Sequence, residues 1–339
     1  MLEKPDLPDE KITACVQEQY DLQGVEVSFL PLGADRNTAV YRIVTQDEAA
    51  YFFKLRQGDF NKTSVTLPKF LSDQGISQII ACLATHTGQL WASLDSYRVL
   101  LYPFVEGHNG YERDLSDRHW IEFGRALKHI QSVKLPAALS GHIRRETYSP
   151  KWREIVKTFM QRVKQETFDE RVAAKLATFL NGKREEILDL VERTEQLAQV
   201  LRTRSPEFVL CHSDIHAGNI LIDVNDNFYI VDWDDPILAP KERDLMYAGG
   251  GQFGARRTPE EEEALFYQGY GRTQVDPIAL AYYRYERIVQ DIAAYCEELF
   301  LTDAGGADRE QAYRYLTANF RADGVLEIAY KADHTQREV

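Results

Sequence analysis

The sequence predicts an α+β fold in two lobes, an antiparallel sheet in the N-terminal third and a mostly helical remainder. Three observations predict it. Short apolar runs separated by polar turns crowd the first hundred or so residues. Amphipathic stretches at helical spacing, several with capping residues, fill most of the chain beyond them. Within that helical part lies one exception, residues 208–234, FVLCHSDIHAGNILIDVNDNFYIVDWD, which reads as strand, polar loop and hairpin.

Composition narrows the classes open to the chain. At 339 residues with 44% hydrophobic content it can build one large or two modest domains. The formal net charge of −13 argues against non-specific nucleic-acid binding and suits a cationic partner. Cys15, Cys82, Cys211 and Cys296 are widely spaced with no CxxC pair, so neither a zinc site nor a disulfide scaffold is expected. The N-terminal MLEKPDLPDEK has no apolar core of a signal peptide, and no run approaches the ~18 apolar residues of a membrane span. The expectation is a cytoplasmic, monomeric protein.

In chain order, residues 8–20 predict a helix with Ile12, Cys15, Val16 and Tyr20 on one face. Val25–Pro31 reads as a strand, Leu32–Thr38 as a polar turn, and Ala39–Val44 as the alternating strand after it. Tyr51-Phe52-Phe53-Lys54-Leu55 is a third strand whose lysine must face solvent or an anion. The next segment, Asn61–Ser72, contains no acid; Asp59 and Asp73 flank it, and Pro68 disfavours one continuous helix there. Ser77–Leu83, Gln89–Leu94 and Tyr97–Tyr102 predict three more strands. Tyr102-Pro103-Phe104-Val105-Glu106-Gly107 reads as a linker, which places the lobes at 1–105 and 106–339.

Beyond it, Asp114–Val133 predicts a helix with Trp120, Phe123, Leu127 and Ile130 inward. Ser149-Pro150 opens another, and Phe168–Leu201 is helical with a break near Asn181-Gly182. Past the hairpin, Lys241 begins a helix, Thr258-Pro259-Glu260-Glu261 is a capping box, and Asp276-Pro277 caps a helix to about Leu301. Residues 307–320 are a last helix, and the tail after Ala332 is expected to fray.

The chemistry concentrates in 208–234. Asp and Asn are common turn residues, and any one of those here reads as such. Together their spacing is that of phosphoryl transfer. Protein kinases use H-R-D-x-x-x-x-N, whose aspartate receives the hydroxyl proton, and then D-F-G, whose aspartate binds metal. Here His212-Ser213-Asp214 precedes Asn219 by the same interval, and Asp232 ends the following hairpin. The loop departs from protein kinases: His216 stands where they carry lysine, and the interval from Asp232 to Arg243-Asp244 is too short for an activation segment.

The stretch resembles the aminoglycoside phosphotransferase family, which uses H-x-D-x-x-x-x-N followed by a triplet like I-D-W. A narrower resemblance, to the spectinomycin phosphotransferases within it, is carried by CHSDIHAGN, VDWDDPILAPKERDLM with Gly249-Gly250-Gly251, YSPKWREIV (148–156) and YYRYERIVQDIAAY (282–295). The resemblance implies a protein-kinase-like fold and transfer of the γ-phosphoryl of ATP, with Mg2+, to a hydroxyl of a cationic aminocyclitol such as spectinomycin. Asp214 is then the catalytic carboxylate, and Asn219 and Asp232 the metal ligands. Lys54 holds the nucleotide phosphates, and the Pro103 carbonyl and Val105 N–H hold adenine. Gly33, Asp35 and Asn37 belong to a phosphate-covering turn. His212 and Asp244 support the loop, and His216 is a packed or loop histidine. Asp234, Asp235 and Glu286 are candidates for a cationic substrate; each also reads as a salt-bridging carboxylate. Two alternatives stay open: a kinase of another small alcohol such as choline or homoserine, and a non-catalytic nucleotide-binding protein, suggested by the absence of an acid in the segment after Lys54.

Overall fold

The computed structural model describes residues 4–24, 26–32, 37–254, 256–302, 306–322 and 324–333. It forms two compact units, neither a single stretch of chain. The first comprises residues 1–115, 133–143 and 217–236, the second 116–132, 144–216 and 237–339.

The first unit is built on the predicted antiparallel sheet. Helix α1 (Asp9–Tyr20) precedes β1 (Glu26–Leu30), β2 (Thr38–Val44) and β3 (Ala50–Gln57). Helix α2 (Thr63–Asp73), β4 (Ala92–Leu94) and β5 (Tyr97–Pro103) come next. The five strands lie in the order β1-β2-β3-β5-β4, all antiparallel. Alternation sorts their two faces. Tyr41, Ile43, Phe53, Leu55, Val99 and Leu101 are buried against Ile12, Cys15, Val16 and Tyr20, the face predicted for α1. The opposite face carries Lys54 and Arg56, with Lys54 in register between Val40 and Leu100.

Two expectations for this unit are corrected. Helix α2 runs through Pro68. The missing N–H costs about 3 kcal/mol in a helix interior, yet Val65, Leu67, Pro68 and Leu71 form a buried face that holds the segment helical. Ser77–Leu83 is not a strand, and only Ala92–Leu94 of the next run is. The apolar signal of 77–83 reports burial of Ile79 and Cys82, not sheet pairing; a turn bond from Ile79 N–H to the Ile76 carbonyl (3.2 Å) starts the run off the strand path.

The unit also holds β6 (Gly107–Asn109) and the short helix α4 (Ala137–Ser140). The hairpin of β9 (Ile220–Asp223) and β10 (Phe228–Ile230) pairs with β6 in the order β10-β9-β6. Gly107 is required there: a Cβ would fall 2.2 Å from the Ile222 carbonyl oxygen.

The second unit is largely helical. It contains α3 (Asp117–Ser132), α5 (Lys151–Gln165), α6 (Arg171–Gly182), α7 (Arg184–Arg202), α8 (Glu242–Leu245) and α9 (Pro259–Tyr270). It ends with α10 (Pro277–Leu301), α11 (Gly306–Ala318) and α12 (Val325–Ala332). A small sheet of β7 (Arg144–Arg145), β11 (Ile237–Ala239) and β8 (Val209–Cys211) completes it. Two of the three predicted N-terminal signatures are present; at the third, α5 starts at Lys151 with Pro150, not Ser149, at its N-cap position and no side-chain cap. Thr258 and Glu261 form a capping box on α9, and Asp276 accepts from the N–H groups of Ile278 and Ala279 at the start of α10. Helices α3 and α9 approach closely at Gly124 and Gly269, where a Cβ would meet a backbone oxygen at 2.1 and 1.8 Å. Helix α10 packs against α5, α7, α11 and α12, with Tyr282, Tyr283 and Tyr285 buried. The cysteines are buried free thiols. No helix among the described residues is long and apolar enough to cross a membrane.

Candidate active site

The H-S-D loop belongs to the second unit and leaves β8 at Cys211, whose partner across the sheet is Ile237 on β11. A strand end leaves amides in need of acceptors. Asp244, wholly buried on α8, supplies them: its two carboxylate oxygens accept from the N–H groups of His212 and Ser213, each at 2.8 Å. Burial pushes the Asp244 carboxyl above its ordinary pKa, against the pull of His212 and those amides. On the other side the Tyr247 hydroxyl donates to the Ser213 carbonyl at 2.8 Å. Ser213 has φ of +76°, a left-handed conformation that a residue without glycine's freedom adopts only when its surroundings hold it. His212 Nδ1 accepts from the Asp214 N–H at 3.3 Å, and Ile215 is fully buried. His212 and Asp244, predicted to support the loop, both lie on its backbone.

The Asp214 side chain projects from this loop and is 42% exposed. Its Oδ1 accepts from Arg287 Nη1 on α10 and lies 3.4 Å from the Tyr247 hydroxyl. His216 Nε2 is 3.8 Å from Oδ2. Burial would raise the Asp214 pKa, but the Arg287 guanidinium outweighs it and holds the carboxyl below its usual range. Burial lowers His216 to about 4, so that ring is neutral at pH 7 and its contact with Asp214 carries no ion pair.

The metal and Lys54 candidates lie in the first unit. The hairpin turn is closed by Asp223, which accepts from the N–H groups of Asn225 and Asn227 at 2.8 and 2.7 Å. Where the hairpin closes, the Asn219 carbonyl accepts from the Val231 N–H at 3.0 Å. Asn219 is thereby tied beside the residue that precedes Asp232. Asn219 is buried to 8% exposure, whereas the Asp232 side chain is 50% exposed, with φ of +65°. An amide oxygen and a carboxylate are hard donors, and Mg2+ takes one or two carboxylates with phosphate and water oxygens completing its octahedron. This donor pair fits that ion. Among the described residues, no group of three or more His, Cys, Asp or Glu side chains is disposed to hold a metal by itself.

Lys54 Nζ lies 3.9 Å from Asp232 Oδ1 and 3.1 Å from Asp234 Oδ2. Arg56, on the same strand face, places Nη1 2.8 Å from the same Asp234 oxygen. The acid that serves Lys54 is therefore Asp234, from the segment after the hairpin. Asp73, the last residue of α2, is occupied by Lys69. Asp235 is exposed. Pro103 ends β5 opposite Tyr51, and Val105 comes just after the bond from the Phe104 N–H to the Ala50 carbonyl. The Asn37 carbonyl accepts from the Gln57 N–H at 2.8 Å; Gly33 and Asp35 lie outside the described residues.

Glu286 lies elsewhere, inside the second unit. It is 6% exposed and bound to Arg153, a fully buried arginine that also pairs with Glu195 at 2.8 Å. Four residues escaped the sequence reading: Arg56, Tyr247, Arg287 and Asp291. Arg56 had a legible signal, because its spacing from Lys54 puts both cations on one strand face. Arg287 and Asp291 stand four apart on one helix, the i,i+4 spacing at which opposite charges meet.

An antiparallel sheet carrying a lysine paired with a carboxylate from beyond the hairpin, followed by a helical region with this H-S-D loop, is the protein-kinase-like architecture of a small-molecule kinase. The chain belongs to the phosphotransferase enzyme family, whose model matches residues 28–284. It is similar to a spectinomycin phosphotransferase solved with ADP and spectinomycin: 34% identity, 97% of this chain and 99% of that one, TM-score 0.89. The AMP-bound complex of spectinomycin phosphotransferase matches at 34% identity over 95% and 98% of the two chains, TM-score 0.84. A choline kinase from Streptococcus pneumoniae shares the fold alone, at 13% identity, with 95% and 99% covered and a TM-score of 0.58. No curated protein matches the sequence.

Proposed function

We propose that the protein transfers the γ-phosphoryl of ATP to a hydroxyl of an aminocyclitol antibiotic, spectinomycin first among them, and so confers resistance to it. One observation carries the choice of substrate: the likeness to a spectinomycin-bound phosphotransferase extends over 97% of this chain at 34% identity. The choline kinase match, at 13%, supports no such transfer of substrate.

In this reading Asp214 orients the acceptor hydroxyl and receives its proton. Its depressed pKa keeps it ionised at neutral pH but makes it a weak base, so positioning is the larger part of its work, in keeping with a loose phosphoryl-transfer transition state. Lys54, steadied by Asp234, holds the α- and β-phosphates. Asn219 and Asp232 would hold Mg2+, which when bound offsets charge on the phosphate oxygens. The Pro103 carbonyl and Val105 N–H take adenine, and Gly33, Asp35 and Asn37 form the turn over the phosphates. Asp235, exposed just beyond the metal aspartate, is the carboxylate offered to a substrate cation. The protein works in the cytoplasm as a monomer.

The test is mass detection of a phosphorylated product from spectinomycin and MgATP, with choline and homoserine in parallel. Product from spectinomycin alone is expected. Product only from another alcohol moves the substrate within the family, and none from any of them with ATP-binding protein returns the chain to a nucleotide-binding role.

A further inference from the structure

In this structure Asp214 is held by a guanidinium that arrives from outside its own loop. Arg287 stands on α10, 73 residues away in sequence, and its side chain is 16% exposed. It is itself fixed from behind, with Nε 3.0 Å from Asp291 Oδ1 one turn further along the helix. Arg287 Nη1 also donates to the Tyr247 hydroxyl at 3.3 Å, the hydroxyl that holds the Ser213 carbonyl. One guanidinium thus links the loop, Tyr247 and α10.

We infer that Arg287 is the positioning residue for Asp214: by holding Oδ1 it sets the direction in which the carboxylate faces the acceptor hydroxyl. The inference rests on the proposed role of Asp214. A carboxylate turns easily about its terminal torsion, which is broad and two-fold. A charge-assisted bond to one oxygen removes that freedom. Arginine suits the position because its planar, delocalised guanidinium faces Asp214 with Nη1 while Nε lies within ion-pair distance of Asp291, a span the point charge of lysine lacks.

Among the described residues, the charged and titratable groups that act on Asp214 include Arg287 and Asp291 on α10, Tyr247 after α8, and His212 and His216 in its own loop; Arg144 on β7 reaches the Ser213 hydroxyl at 3.5 Å. His216 is neutral at pH 7, and burial raises the Tyr247 pKa; the largest opposite charge acting on Asp214 is that of Arg287.

The experiment compares wild type, Arg287→Lys and Arg287→Gln, with circular dichroism and thermal melts to establish folding. Two readouts are taken. One is the 13C carboxyl titration of Asp214, assigned with Asp214→Asn, which needs no substrate. The other is kcat and KM against pH with MgATP and spectinomycin. In Arg287→Gln the Asp214 titration should move up by about one unit or more, the cost of losing an opposite charge at contact distance. The acid limb of kcat should move with it, and kcat should fall on the order of 10- to 100-fold with little change in either KM. Arg287→Lys should restore the titration and only part of kcat. A folded Arg287→Gln with unchanged titration and kcat overturns the inference. If that variant does not fold, full kcat in Arg287→Lys overturns it instead. Absence of wild-type turnover with spectinomycin would sink the substrate reading, while the carboxyl titration would still decide whether Arg287 governs Asp214.

Discussion

Lys54 Nζ on β3 lies 3.1 Å from Asp234 Oδ2, across 180 residues of sequence. The lysine is 18% exposed and the aspartate 30%, so the pair is only partly screened by solvent. Arg56 shares the same carboxylate. A double-mutant cycle of Lys54→Met and Asp234→Asn, read by denaturant unfolding, should give a coupling of about 1 kcal/mol. The same cycle with Asp59→Asn should give none. Equal coupling for both would dissolve the pairing.

Asp214→Asn should lower kcat on the order of 10²- to 10⁴-fold, the span that a positioned acid or base group contributes. Nucleotide affinity, measured calorimetrically, should stay within a few-fold, because the substitution leaves in place Lys54, proposed to hold the phosphates, and Asn219 and Asp232, proposed to hold the metal. Near-normal turnover would remove Asp214 from the mechanism.

How far the sequence could be read depends on the reach of local pattern. Helical spacing identified Ile12, Cys15, Val16 and Tyr20 as one face, and all four are buried. Thr258 and Asp276 marked their helices because caps are satisfied within three residues. The hairpin was legible for the same reason: its turn bonds lie within 223–227. Partners brought from afar were not. Nothing in residues 50–57 says that the counter-charge for Lys54 comes from position 234. Nor does the H-S-D loop say that an arginine 73 residues on rests against Asp214. Apolar content misled where burial and pairing part company, as at 77–83, which is buried in part but meets strands by single bonds, Leu83 N–H to the Leu101 carbonyl and Ile230 N–H to the Gln78 carbonyl.

Glu286 offers a separation of substrate and scaffold. Removing its carboxyl takes from the fully buried Arg153 one of the two carboxylates it pairs with, Glu195 being the other. Glu286→Ala should therefore cost about 3 kcal/mol of stability, the scale of breaking a buried pair from one side. KM for the acceptor should be unchanged in the folded fraction. A stable variant with a raised acceptor KM would instead place Glu286 at the substrate.

Glu262 is a side chain through which pH should act on the fold. It is 3% exposed and accepts from the Gly249 N–H at 3.1 Å. Burial pushes its carboxyl up to about 8, against the pull of that amide. The folded state then keeps a proton that the unfolded chain releases at about pH 4. The associated stability is complete below that point and declines as pH rises to about 8. Glu262→Gln keeps an acceptor for Gly249 and cannot ionise. Between about pH 5 and 8 wild type should lose stability relative to this variant, by up to about 1.4 kcal/mol per pH unit. Parallel pH curves for the two proteins would refute the assignment.

Asp232 joins two demands at one position, and substitutions can pull them apart. Its φ of +65° lies in the left-handed region, which costs an ordinary L-residue roughly 1–2 kcal/mol and which Asp, Asn and Gly tolerate better. Its carboxylate, half exposed beside Lys54, is the proposed partner of Asn219 in holding Mg2+. Asp232→Gly deletes the carboxylate and keeps the backbone at ease. Asp232→Ala deletes it and adds strain. Asp232→Asn keeps shape and backbone tolerance and removes only the charge. If the side chain serves the metal, all three should lose turnover, and Mg2+ titrations should show half-saturation at higher concentration in Asp232→Asn and in Asn219→Ala. Stability should track the backbone instead, with Asp232→Ala about 1 kcal/mol below Asp232→Gly. Turnover that tracked stability across the series, with an unaltered Mg2+ requirement, would assign Asp232 to the turn and not to the ion.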